Sequence, residues 1–391
     1  MRIMEQITPS FFCKSSHIIN VGDDMKRLIA CILMIFAFSE NAYALDVSAV
    51  AACLMNPDTG EVLFEKNAYE KMPMASTTKI MTAILALEKT NPDDIVTVSK
   101  NAQGAEGSSI YIKAGDKIRM EDLLYGLMLE SGNDAAIAVA EYVSGNTEQF
   151  AEEMTALAKK IGAKDTQFKN PNGLDAEGHY TTAYDLAKIS AYAMKNPDFQ
   201  RIVSEKTKNV TVNTSETLYF RNHNKLLNMY DGAIGIKTGY TKKCGRCLVS
   251  AAERGGCELI AVTLNAPDDW NDHIALLDFG FENCSEKLIL KKGSKVKSLY
   301  TKDKCELGAI AAEDASVFCK NMPVSEVAVH IKKDLKAPIA KDEKIGTAEI
   351  LIDGKKYAQV DLVADRTIEK QNSIFDEFGR CMEKYIKMYL R

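Results

Sequence analysis

Proline, tryptophan and histidine are scarce in this 391-residue chain, at 9, 1 and 5. So little proline excludes a Pro-rich linker protein. One tryptophan leaves no aromatic platform of the kind a sugar-binding module uses. The histidines are well separated, so a His-rich metal site is not expected. Positive charge is not in excess: Lys and Arg number 49 against 54 Asp and Glu, a formal net charge of -5. That argues against a nucleic-acid partner, which favours a basic face. Hydrophobic residues make up 46% and charged residues 26%, which excludes a disordered chain and a multi-span membrane protein. What remains is a globular chain long enough for two domains.

The apolar run Leu28–Phe38 has 11 residues, too short for a bilayer core of about 30 Å. Lys26 and Arg27 precede it, and Ala42-Tyr43-Ala44 follows. Basic flank, short apolar core and A-x-A site predict a secretory signal peptide over 1–44, cut after Ala44. Met25 stands directly before Lys26 and offers an alternative start. Eight cysteines remain in the mature chain. An even number in an exported protein permits disulfides, but domains of this size bury their own cores. Cys244 and Cys247 form a C-x-x-C with no second pair at zinc spacing, and read as packing residues or one local disulfide.

The mature chain changes texture three times. Val47–Met55 and Glu61–Glu65 flank Asn56-Pro57-Asp58-Thr59-Gly60, a β-hairpin pattern. Helical spacing then runs through Ser76–Leu87, Glu121–Glu130, Asp134–Val143, Thr147–Ile161 and Thr182–Met194. Short β-like runs follow at Ile234–Thr238, Cys247–Ala252 and Leu259–Leu264. Strands at both ends with helices between predict an α/β fold: an antiparallel sheet closed by its first and last segments, with a helical cluster. This domain is expected over 45–283. Residues 286–367 alternate in short runs with Lys-rich turns and predict a small all-β domain. In 370–391, Ile374, Phe375, Phe378, Cys381, Met382, Tyr385, Ile386 and Tyr389 fall on one helical side, while Arg380, Lys384, Lys387 and Arg391 add positive charge elsewhere. Such a helix lies in a membrane interface or docks on a domain; its place after the β domain favours the membrane.

Three patterns carry chemistry: Ser76-Thr77-Thr78-Lys79, Ser131-Gly132-Asn133 and Lys237-Thr238-Gly239. S-x-x-K recurs at Ser294–Lys297, but in a solvated basic turn where the lysine stays an ammonium. S-G-N recurs at Ser144–Asn146, where Gly ends one helix and Asn begins the next, which is capping chemistry. Ser76 instead opens a buried helix, and residues three apart share a helix face. A serine hydroxyl needs a base, and no Ser-His-Asp context offers one. Lys79 serves if burial and a second cation, Lys237, lower its pKa. Gly239 on a strand lets a substrate backbone approach, and an extended peptide can pair along that edge. Lys237 and Thr238 would hold a terminal carboxylate, and the N–H groups of Ser76 and Tyr240 an oxyanion.

This ordered trio resembles the signature of serine penicillin-binding proteins and serine β-lactamases. Met74–Thr82, Leu123–Asn133, Asn170–Leu174 and Gly235–Tyr240 resemble low-molecular-mass D-alanyl-D-alanine carboxypeptidases, and the likeness runs from about Val47 to the tail. It implies a β-lactamase/transpeptidase-like fold and removal of the last D-alanine from peptidoglycan stem pentapeptides. The implied acyl-enzyme forms on Ser76, with Lys79 as proton acceptor, Ser131 as proton relay, Asn133 on a substrate amide and Lys237 on the substrate carboxylate. No metal or organic cofactor is implied; β-lactam antibiotics are the implied inhibitors. Export would place the enzyme on the outer face of the cytoplasmic membrane or outside the cell, held to the membrane surface by its C-terminal helix. Arg221–Leu227 resembles a family loop without an assigned role, and His179 reads as structural or loop-ordering. Two alternatives stand beside this reading. A serine β-lactamase usually has Ser-Asp-Asn where this chain has Gly132. A catalytically inert wall-binding relic has no need to keep Ser76, Lys79, Ser131 and Lys237 together.

Overall fold

The computed structural model describes residues 45–213, 215–370 and 374–389. The expected signal segment lies outside them. The chain opens with β1 (Ala51–Met55) and β2 (Val62–Lys66), then a 3-10 turn (Ala75–Thr78) that runs into α1 (Lys79–Lys89). Next come β3 (Ile95–Thr97), β4 (Lys117–Arg119), α2 (Met120–Leu129), α3 (Asn133–Ser144), α4 (Thr147–Ile161), α5 (Ala183–Ala193) and α6 (Pro197–Ser204). The first domain closes with β5 (Thr207–Val212), β6 (Glu216–Arg221), α7 (Leu226–Met229), β7 (Ala233–Thr241), β8 (Gly245–Arg254), β9 (Cys257–Leu264) and α8 (Asp269–Asn283).

The main sheet is antiparallel, in the order β2-β1-β9-β8-β7. The first strands therefore pair with the last, as the pattern of runs predicts. All five residues of β1 are buried, because α5 and α8 pack against this part of the sheet. That explains its unbroken apolar run: a strand covered on both faces loses its alternation. Asp272 of α8 fastens the incoming chain, accepting from Ser48 N–H at 2.7 Å, Ser48 Oγ at 2.8 Å and Ala49 N–H at 3.0 Å.

The helices start where the sequence offers caps. Asn146 accepts from Gln149 N–H, Thr182 from Asp185 N–H, and Asn196 from Asp198 and Phe199 N–H with Pro197 behind it. Gly145, at φ +84°, ends α3, so Ser144–Asn146 is indeed a pair of caps. A second sheet, β3-β4-β5-β6, has strands too short and polar to stand out in the sequence.

The β domain begins at Ser285 with β10 (Ser285–Leu290). It continues through β11 (Lys295–Tyr300), β12 (Glu306–Ala311), β13 (Ala315–Cys319), β14 (Ser325–Ile331), β15 (Lys344–Ile352) and β16 (Lys355–Ala364). Five of these form a sheet in the order β11-β12-β16-β15-β14, with β10 and β13 paired separately. Leu307, Ile345, Ala348 and Leu362 are fully buried between them. The two domains meet where Asn56 Nδ2 donates to Phe318 O at 2.8 Å and the Glu61 carboxylate accepts from Lys320 and Asn321 N–H at 3.0 Å each.

Cys53, Cys244, Cys247, Cys257 and Cys319 are buried free thiols. Cys244 and Cys247 are buried, so the C-x-x-C serves packing and the local disulfide is not formed. The tail forms α9 (Ile374–Tyr389). Every side chain from Phe378 to Tyr389 is exposed. No helix among the described residues is long and apolar enough to cross a membrane.

Candidate active site

Ser76 does not open an α-helix, as its sequence suggests, but sits in the 3-10 turn just before α1. Ala75 ahead of it has φ +49°, a left-handed conformation uncommon for a residue with a Cβ. The three-residue spacing still does its work: Lys79 Nζ donates to Ser76 Oγ at 2.9 Å. The same nitrogen donates to Asn133 Oδ1 at 2.7 Å and to Asn172 O at 2.6 Å. Lys79 is fully buried. Burial first, and the Lys237 amine second, push its pKa well below the usual lysine range, with Asp134 opposing. A hydroxyl and an amine so placed form a nucleophile–base pair.

Lys237 lies on β7, at the edge of the main sheet, with only 1% of its surface exposed. Burial lowers its pKa to about 7, and Glu130 opposes the shift. Its Nζ donates to Thr238 O at 3.1 Å. Gly239 has a different reason from the one its sequence suggests. A Cβ there would stand 3.0 Å from Ser76 N and 3.1 Å from Thr77 N. The close neighbour is the nucleophile's own turn, and glycine lets β7 lie against it.

Ser131 bridges α2 and α3 at φ +64°. Asp134, two residues after Gly132, is buried and accepts from Ser109 Oγ, Ile110 N–H and Ile112 N–H, which fixes the loop over 105–112 as one wall. Asn133 has both ends of its amide engaged, since Nδ2 donates to Glu106 O at 2.6 Å. The second S-x-x-K copy shows none of this: Ser294 Oγ donates to Lys291 O, and Lys297 is exposed.

A cavity of about 330 Å³ opens over Ser76, Ser131, Thr238, Gly239 and Tyr240. His223, Lys225, Arg246, Asp269 and Trp270 complete its far side. The Arg221–Leu227 resemblance pointed at the first two. Nothing local marked the others, which the fold gathers from β8 and the start of α8. Lys225 Nζ stands 5.9 Å from the Trp270 ring centre, and Arg246 Nε donates to Asp269 at 3.2 Å. A larger cavity, about 790 Å³, lies against Ile95, Lys117, Arg119 and Lys208. It contains no nucleophile–base pair and is not the site of this chemistry. No cluster of His, Cys, Asp and Glu among the described residues is arranged to hold a metal ion.

Residues 37–268 match the family described as D-alanyl-D-alanine carboxypeptidase. The chain belongs to that family. Residues 285–370 match the C-terminal domain of penicillin-binding protein 5. The carboxypeptidase is 33% identical to the D-alanyl-D-alanine carboxypeptidase DacF of Bacillus subtilis, over 90% of this chain and 96% of that protein. It is 33% identical to DacC of Escherichia coli, over 88% and 92%. Among solved structures it resembles penicillin-binding protein 5 from Haemophilus influenzae, with a TM-score of 0.60 and 29% identity, covering 83% of this chain and 98% of that one. It is therefore a serine-type hydrolase of the low-molecular-mass penicillin-binding group, and the β-lactamase alternative falls away.

Proposed function

We propose that this carboxypeptidase removes the terminal D-alanine from peptidoglycan stem pentapeptides through an ester on Ser76. The observation that carries the reading is the buried Lys79 amine, 2.9 Å from Ser76 Oγ and lowered in pKa. Lys79 takes the hydroxyl proton as Ser76 attacks the penultimate carbonyl. The N–H groups of Ser76 and Tyr240 face the oxyanion, and the extended peptide lies along β7. Thr238 and Lys237 hold the terminal carboxylate. Ser131 returns a proton to the departing D-alanine amine, and Asn133 meets a substrate amide when it is released from Lys79 or Glu106. Water then cleaves the ester. An inert relic would gain nothing from keeping a lysine buried beside a hydroxyl, because taking an ionisable amine out of water costs stability. D-alanine release from a diacyl-Lys-D-Ala-D-Ala peptide tests the reading. Ser76→Ala should abolish both release and penicillin labelling, and Ser294→Ala should change neither.

We further propose that the enzyme is exported and held on the outer face of the cytoplasmic membrane by α9. The basic flank, apolar core and A-x-A site of 1–44 support export. Exposed Phe378, Met382, Tyr385, Ile386 and Tyr389, with Arg380, Lys384 and Lys387 nearby, support interfacial anchoring. Each large apolar side chain buried there would contribute on the order of 1–3 kcal/mol. The β domain would then act as a spacer. Deleting 370–391 should release the protein from liposomes while peptide hydrolysis in solution continues. Continued sedimentation with liposomes would remove the tail as anchor.

A further inference from the structure

Behind the nucleophile turn lies a buried histidine that does not line the substrate cavity. His179 is 6% exposed, and its ring meets Phe168 edge-on at 5.9 Å between centres. Both ring nitrogens are engaged. Nδ1 faces Lys169 N–H at 3.0 Å, and Nε2 faces Thr78 Oγ1 at 2.8 Å. Thr78 Oγ1 is also 2.8 Å from Ala75 O.

The chemistry of these groups fixes every proton. A backbone N–H only donates, so Nδ1 must accept and the neutral ring carries its proton on Nε2. A carbonyl only accepts, so Thr78 must give its hydroxyl proton to Ala75 O. Its oxygen is then left to accept from Nε2–H. A single one-way chain results: His179 Nε2–H to Thr78 Oγ1, then Thr78 O–H to Ala75 O. Burial agrees with a neutral ring, lowering the His179 pKa to about 4. The chain ends on the carbonyl of the left-handed residue that precedes Ser76. On its other side, His179 holds Lys169, at the start of the loop whose Asn172 O binds Lys79 and whose Pro171 O accepts from Thr82 Oγ1 at 2.6 Å.

We propose that His179, as the Nε2–H tautomer, is a positioning residue for acylation: through Thr78 it orients the Ala75–Ser76 turn, and through Lys169 it seats the loop that holds Lys79. It gives no proton to substrate. Its removal acts on the alignment of Ser76 with Lys79 and not on substrate binding. The inference rests on Ser76 and Lys79 being nucleophile and base.

Three variants test it. His179→Leu fills similar space but makes neither hydrogen bond. His179→Gln keeps one acceptor and one donor on an amide. Thr78→Val keeps the branched shape and removes the hydroxyl. Each is assayed for penicillin acylation per folded molecule, for kcat and KM on the peptide, and for thermal melting. His179→Leu and Thr78→Val should each slow acylation and kcat by at least about tenfold, with KM little changed, because misalignment of reacting groups is felt in the chemical step. Gln should recover most of the loss. The double variant His179→Leu with Thr78→Val should be little slower than either single one, since both break the same chain. If His179→Leu does not fold, Thr78→Val alone carries the test. Normal acylation in the folded Leu or Val variants, or a Gln variant as slow as Leu, overturns the proposal. Peptide mapping of the wild-type penicillin adduct keeps the two readings apart. A label away from Ser76 would defeat the nucleophile assignment, whereas a label on Ser76 with unaffected variants would defeat the role of His179 alone.

Discussion

Gly173→Ala should disable the active site without touching any reacting group. Gly173 adopts φ +88°, and a Cβ built on it would lie 2.0 Å from Ala75 O, 2.5 Å from Ala75 C and 2.9 Å from Thr78 Oγ1. A carbon rarely approaches an oxygen closer than 3.0 Å. The 170–174 loop and the nucleophile turn must therefore part by about 1 Å, a displacement on the scale that costs roughly 10²-fold in rate. Neither side yields cheaply. The atoms met first are backbone, Ala75 is already left-handed, and Asn172 O is tied to Lys79. The left-handed φ adds about 1 kcal/mol for any residue with a Cβ, and the overlap another 1–3 kcal/mol or so. Stopped-flow acylation with a fluorescent penicillin, beside a thermal melt, reads both effects. Acylation should fall by about two orders of magnitude in protein that still melts cooperatively. A Gly173→Ala protein that acylates at the wild-type rate would refute the claim that this loop and the Ser76 turn are held in register.

Two further outcomes follow from the buried lysines. Acylation should rise with pH through a depressed Lys79 pKa, and Lys79→Arg should not restore it, since guanidinium stays protonated; a near-normal Arg variant would mean that the serine proton goes elsewhere. Lys237 contributes a stability slope whose sign is fixed. Its folded pKa is about 7 and its unfolded one about 10.4, so between these values the unfolded chain binds more protons. Stability from this residue should therefore rise with pH across that window, by up to about 1.4 kcal/mol per unit. Lys237→Met should flatten the slope and raise stability near neutral pH, as urea unfolding at the two ends of the window will show; an unchanged slope would contradict the burial of a neutral amine.

Much of this arrangement was legible in the sequence because local rules produced it. Ser76 and Lys79 are three apart on a turn that runs into a helix, so their meeting required no tertiary information. The capping copy at Ser144–Asn146 and the solvated copy at Ser294 were separable by context alone. The order of strands and helices gave away the sheet closed by β1 and β9. Other features were hidden because they arise from distant segments. Asn172 reaches Lys79 through its backbone carbonyl, which no side-chain pattern can signal. Arg246, Asp269 and Trp270 meet at the cavity because β8 and the start of α8 converge there. Gly239 was expected to admit substrate, whereas its missing Cβ first makes room for Ser76 and Thr77. That constraint belongs to packing between elements far apart in the chain.

Whether Ser76 is the nucleophile is decided by the penicillin adduct itself. The wild-type protein is labelled with a penicillin, digested, and mapped by mass spectrometry, with Ser76→Ala run in parallel. One labelled residue, Ser76, and no label on the variant are expected. A label on Ser131, Ser294 or any other residue, or a labelled Ser76→Ala protein, would contradict the assignment.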